Sequence, residues 1–152
     1  MKAKDMKKKA VLLIEDNPDD VELTLRAFRK NNIANDIIVI EDGEKAINYL
    51  FRKEEYADRD PGELPSIILL DIKLPKIDGI EILRRIKADG KLKLIPVIIL
   101  TSSHEEQDLV NSYSFGANSY TRKPVDFTEF MNVTQQLGVY WLMLNSTYLD
   151  FD

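Results

Sequence analysis

The run Ile67-Ile68-Leu69-Leu70, ending in Asp71 and halted at Leu74-Pro75, constrains this chain more than any other stretch. It reads as a short buried strand that delivers one carboxylate to its C-terminal end. Two other apolar runs end alike: Val11-Leu12-Leu13-Ile14 passes into Glu15-Asp16, and Val97-Ile98-Ile99-Leu100 passes into Thr101-Ser102. If the three strands are parallel neighbours, their polar ends share one sheet edge.

The intervening segments favour that arrangement. Asn17-Pro18-Asp19-Asp20 has the form of a helix start, with Asn as N-cap, Pro in the first turn and acids at the positive end of the dipole, followed by Val21, Leu25 and Phe28 on one face. Ile37 to Ile40 is a second β-branched run, and Ala46, Ile47, Leu50 and Phe51 follow Asp42-Gly43 at helical spacing. Residues 53–65 are polar, contain Pro61-Gly62, and read as a long exposed loop.

Asp78-Gly79 opens a third helix through Ile80, Leu83 and Ile86, with Gly90 as its expected stop. Ser103 and Glu106 have capping-box spacing for a fourth helix ending at Gly116, with His104 an exposed bystander in its first turn. Residues 119–123 form a fifth strand closed by Pro124. Asp126 and Glu129 cap a fifth helix, and Val125 and Phe130 occupy hydrophobic-staple positions.

That helix carries Phe127, Phe130, Thr134, Leu137, Trp141 and Leu144 in an apolar seam, which Gly138 weakens by about 1 kcal/mol relative to Ala. Five strand-helix units in strict alternation predict an α/β fold, a doubly wound parallel sheet with helices on both faces.

Composition narrows the chemistry. With 152 residues, 44% hydrophobic and 31% charged, the chain suits one globular domain. It has no apolar stretch of about 20 residues and no signal-type core, which predicts a cytoplasmic location without membrane insertion. The absence of cysteine excludes disulfides and thiolate metal sites, and His104 alone cannot build a multi-histidine zinc centre, so any metal site must use oxygen ligands. A net charge of −5 argues against nucleic-acid binding by the whole domain, while Lys2, Lys4, Lys7, Lys8 and Lys9 read as a solvated basic leader.

Ligands of doubly wound sheets bind beyond the carboxyl ends of the strands, so Glu15, Asp16, Asp71, Thr101 and Lys123 are expected in one pocket. Clustered carboxylates need a cation, and oxygen-only ligation favours a hard ion such as Mg²⁺. Asp71 could then attack a phosphoryl group in line, with Lys123 balancing charge and Thr101 donating a hydrogen bond, giving an acyl phosphate. Each residue alone has an ordinary structural reading: a strand-end turn, a neighbour of a helix cap, a solvated lysine before proline.

Leu13-Ile14-Glu15-Asp16-Asn17, Leu70-Asp71-Ile72-Lys73-Leu74-Pro75 with Asp78-Gly79, Leu100-Thr101-Ser102 and Lys123-Pro124 together resemble the receiver domain of two-component response regulators. The resemblance implies a flavodoxin-like five-stranded sheet in the order 2-1-3-4-5 over residues 10–145, between a leader at 1–9 and a tail at 146–152. It implies Asp71 as the phosphorylated aspartate, Mg²⁺ held by Glu15, Asp16, Asp71 and the Lys73 backbone carbonyl, and phosphoryl contacts from Thr101, Lys123 and the Ser102 backbone. Thr101 and Tyr120 would be the switch pair.

The implied donor is a sensor histidine kinase and the implied output a downstream protein target or phosphotransfer protein, the chain being a phosphoacceptor switch rather than an enzyme with a turnover of its own. Asp16-Asn17-Pro18-Asp19-Asp20, Ser112-Tyr113 and Lys123-Pro124-Val125-Asp126-Phe127 further resemble small stand-alone regulators that partner cyanobacterial-type phytochrome kinases.

Lys73 and Ser103 stand where the family tunes access of hydrolytic water, leaving phosphate lifetime open. A haloacid-dehalogenase-type Mg²⁺ phosphatase would want an Asp where Lys73 stands, and a flavin carrier would want a small phosphate loop where Asp16 to Asp20 stand. A non-phosphorylated receiver-like adaptor is the other alternative. The short tail leaves no room for a DNA-binding effector, and Tyr140, Trp141, Leu142, Tyr148, Leu149 and Phe151 suggest either a homodimer surface or a segment folded back on the core.

Overall fold

The computed structural model describes residues 10–146. The basic leader at 1–9 and the tail residues Tyr148, Leu149 and Phe151 lie outside the described residues.

Five strands, β1 (Val11–Ile14), β2 (Ile37–Ile40), β3 (Ile67–Leu70), β4 (Val97–Thr101) and β5 (Ser119–Arg122), form one sheet in the order β2-β1-β3-β4-β5. Every pairing is parallel, so the fold is the doubly wound, flavodoxin-like arrangement expected. The helices are α1 (Pro18–Lys30), α2 (Gly43–Leu50), α3 (Gly79–Ala88), α4 (Glu106–Ser114) and α5 (Phe127–Val139).

The central strands are buried on both faces, as their unbroken apolar runs require. Alternate residues serve two cores. Leu12, Ile14, Ile68, Leu70, Val97 and Ile99 pack with Ile47, Ile82, Leu83 and Ile86 of α2 and α3. Val11, Leu13, Ile67, Leu69 and Ile98 pack with Ala27 and Phe28 of α1, and Met131, Leu137 and Trp141 close that side.

Helix starts follow the sequence closely in three cases. Asn17 Oδ1 accepts from Asp19 N at 2.9 Å, Asp78 Oδ1 accepts from Ile80 N at 2.9 Å, and Asp126 Oδ2 accepts from Glu129 N at 3.0 Å. The expected box at Ser103 and Glu106 does not form. The helix begins only at Glu106, and the Ser103 hydroxyl instead accepts from Glu105 N and donates to Asp108 Oδ2.

Gly90 is not the stop of α3 either: Asp89 ends the helix in an extended conformation, and its carboxylate accepts from Lys91 N and Leu92 N to start a short 3-10 turn. Gly116, with φ of +98°, does close α4 in the left-handed region.

Val125 is fully exposed, so no staple with Phe130 forms and the Asp126 cap alone fixes the entry to α5. At the other end α5 passes into a π-helical turn, Tyr140–Leu144, closed by Asn145 N donating to Tyr140 O at 2.6 Å. The wider turn breaks the three-four spacing. Leu142 therefore faces the core while Leu144 is exposed, and Phe127 is also exposed. Gly138 is a close-approach position rather than a mere weak point: a Cβ there would stand 2.6 Å from Ile33 Cδ1 and 2.9 Å from Phe28 Cε1.

The loop over residues 53–65 is less free than its polarity suggests. Arg59 donates to the carbonyls of Tyr49, Leu50 and Glu63 and stacks over the Tyr49 ring at 4.5 Å.

Candidate functional site

Parallel register brings the polar ends of four strands together. Beyond the last apolar residue of each strand the hydrogen-bond ladder runs on by one step: Glu15 N donates to Ile40 O, Asp71 N to Ile14 O, and Lys123 N to Thr101 O. Backbone pairing thus fixes Glu15, Asp71, Thr101 and Lys123 beside one another at the C-terminal edge, where all four are buried.

Thr101 Oγ1 donates to Asp71 Oδ1 at 2.7 Å, and the Lys123 ammonium reaches Asp71 Oδ2 at 2.9 Å. The same ammonium meets Glu15 Oε1 at 2.5 Å and Asp20 Oδ2 at 2.8 Å. Asp16, exposed at the mouth, completes a set with Glu15 and Asp71 whose ligand oxygens lie within 4.8 Å of one another. This all-oxygen donor set suits a hard divalent cation.

Four carboxylates against one ammonium leave the site acid-rich, and the titration shifts follow. Burial pushes Glu15 up to about 7, against the pull of Lys123 and with the help of Asp71. Burial by itself would lower Lys123, but Glu15 and Asp71 outweigh it and hold the ammonium above its ordinary range.

The remaining expected residues lie around this centre. Lys73 N donates to Asp71 Oδ1 at 3.0 Å, placing its peptide against the carboxylate, while its side chain is exposed and pairs with Asp108. Ser102 is exposed at the rim next to Thr101. Tyr120 is half-buried on β5 with its hydroxyl enclosed, and burial raises its pKa. His104 is exposed and outside the cluster.

Asp20 is the site residue that sequence reasoning missed. As a first-turn acid it had an adequate local reason to exist, and nothing in the sequence signals that a helix 103 positions earlier than Lys123 would aim it at that lysine. Gly79 is the other contributor: a Cβ there would stand 2.5 Å from both Asp71 O and Ile72 Cα, so α3 can start close behind the site only without a side chain.

A single buried aspartate at the end of the central strand, cradled by a threonine, a lysine and three further acids, defines a receiver-type site on a doubly wound sheet. The family model for the response regulator receiver domain matches residues 11–135, and the chain belongs to that family.

Among its relatives is the response regulator Rcp1 of Synechocystis, 36% identical over 134 residues, which cover 88% of this chain and 89% of Rcp1. The Mn²⁺-bound form of Rcp1 superposes with a TM-score of 0.86, covering 91% of this chain and 98% of the other. The probable methanogenesis regulatory protein FilR2 of Methanothrix harundinacea is 39% identical over 135 residues, or 89% of this chain and 84% of FilR2. The phosphorylated cyanobacterial phytochrome response regulator RcpA has 33% identity and a TM-score of 0.87, with 93% of this chain and 99% of the other covered.

Proposed function

We propose that the chain is a single-domain response regulator that takes a phosphoryl group from a histidine kinase onto Asp71. The observation that carries this reading is the division of the Asp71 carboxylate, with Oδ1 held by Thr101 and Oδ2 by Lys123. In the transfer an Asp71 oxygen forms the O–P bond as the P–N bond of the phosphohistidine breaks, and the imidazole leaves and takes up a proton. Lys123 balances the charge of the phosphoryl oxygens and Thr101 donates to one of them.

Glu15, Asp16, Asp71 and the Lys73 carbonyl would hold Mg²⁺, with the Ser102 backbone near the phosphoryl group. When bound, the ion supplies charge neutralisation that the acid-rich pocket otherwise lacks. Thr101 and Tyr120 would be the moving parts, and the protein a switch that catalyses only its own phosphorylation and dephosphorylation.

Similarity to Rcp1 and RcpA supports a phytochrome-like kinase as partner. Exposed Tyr140, Met143 and Leu144 support a homodimer, whereas Trp141 and Leu142 fold back on the core. A monomer by sedimentation at high concentration would rule the dimer out.

The test is incubation with acetyl phosphate and Mg²⁺ followed by intact-mass measurement. The expected result is one added phosphoryl mass that Asp71→Asn abolishes. No uptake would favour the adaptor reading, and uptake that survives Asp71→Asn would remove Asp71 from the role.

A further inference from the structure

A ring of hydrogen bonds and one ion pair connects the Asp71 carboxylate to the first turn of α4. Thr101 Oγ1 donates to Asp71 Oδ1 at 2.7 Å, and Ser103 N donates to Thr101 Oγ1 at 3.3 Å. On the other side of Ser103, its hydroxyl donates to Asp108 Oδ2 at 2.6 Å. The Lys73 ammonium meets that same oxygen at 3.1 Å, and Lys73 N returns to Asp71 Oδ1 at 3.0 Å. Asp108 therefore ties α4 to both loops that flank the phosphoacceptor.

The tie matters because α4 has little else. Among its described residues only Ser112 is buried, while Val110 and Tyr113 are exposed. A helix with so small an apolar footing depends on polar contacts at its ends for its position.

Both arms of the ring end on Asp71 Oδ1. Phosphorylation withdraws that acceptor, either by making Oδ1 the bridging oxygen of the acyl phosphate or by turning Thr101 toward the phosphoryl oxygens. Either way the ring loses a member. We propose that Asp108 is a positioning residue that clamps the first turn of α4 to the resting site and lets go when Asp71 is phosphorylated. The release rests on the phosphoacceptor reading; the resting clamp does not.

The test is amide hydrogen exchange over α4 in the wild type, Asp108→Asn, Ser103→Ala and Glu106→Gln, each with and without acetyl phosphate and Mg²⁺, with phosphoryl occupancy read by mass in the same samples. Asp108→Asn at rest should speed α4 exchange by about fivefold, the factor that corresponds to about 1 kcal/mol of partly exposed polar contacts. Ser103→Ala should move the same way. Glu106→Gln removes a first-turn acid outside the ring and should leave exchange as in the wild type.

Phosphorylating the wild type should reproduce the acceleration, and phosphorylating Asp108→Asn should add nothing further. Equal resting exchange in the wild type and both ring variants would overturn the clamp. The same phosphorylation-induced factor in the wild type and Asp108→Asn would overturn the release, leaving Asp108 an ordinary helix stabiliser. A wild type that gains no mass would instead defeat the functional reading and the release with it, while the resting comparison still decides the clamp.

Discussion

Asp20 and Lys123 stand 2.8 Å apart across 103 residues, joining the first turn of α1 to the end of β5 over the mouth of the acidic pocket. Lys123 thereby balances three carboxylates at once, Glu15, Asp20 and Asp71, in a site where its side chain is only 6% exposed.

Removing the ammonium should therefore be severe. Lys123→Met is expected to destabilise the protein by about 3–5 kcal/mol without divalent metal, because it leaves buried carboxylates uncompensated. Urea unfolding with and without Mg²⁺ measures this, and Mg²⁺ should restore more stability to the variant than to the wild type. An equal Mg²⁺ effect in both would contradict the shared role of the two cations.

Asp20→Asn removes one of the three partners but leaves Glu15 and Asp71 in place. Its cost should be about 1 kcal/mol, well below that of Lys123→Met, since a partly exposed acid loses less than a buried one. A loss as large as that of Lys123→Met would make Asp20, and not the buried pair, the main anchor of the lysine.

Glu15 gives the metal-free protein an unusual pH dependence. Its folded pKa of about 7 lies above the ordinary 4.5, so between those values the native state binds more protons than the unfolded chain. This contribution is present in full below the unfolded pKa and fades as pH rises through 7, amounting to about 1–3 kcal/mol. Denaturant midpoints from pH 5 to pH 8 should show the decline, and Glu15→Gln should flatten it.

Gly79→Ala should disturb the site without touching a polar group. The added Cβ meets the backbone of Asp71 and Ile72, which cannot yield as the end of a side chain can. A loss of about 1–3 kcal/mol is expected, together with slower phosphorylation by acetyl phosphate. Gly90→Ala is the comparison, since nothing lies within 4 Å of its Cβ and its stability should hold or rise. Equal behaviour of the two variants would mean that α3 can shift freely behind the site.

Local pattern was enough to place the strands, most helix caps and the polar strand-end residues that the fold brings together: an apolar run of four, an Asn or Asp before a helix, an acid where a strand stops. The sequence also led to the sheet order, through motifs whose spacing matches a known family. Where it went astray, at the Ser103 box, the Gly90 stop, the Val125 staple and Leu144, a local pattern was overruled by longer contacts or by a change of helical period.

Which distant charges meet is a matter of packing. Asp20 read as an ordinary first-turn acid and Asp108 carried no signal of its own, and packing alone aims one at Lys123 and the other at Lys73 and Ser103. The reason is physical: strand and helix propensities act over a few residues, whereas the partner of a carboxylate depends on where the sheet register and helix packing set two chains of backbone side by side.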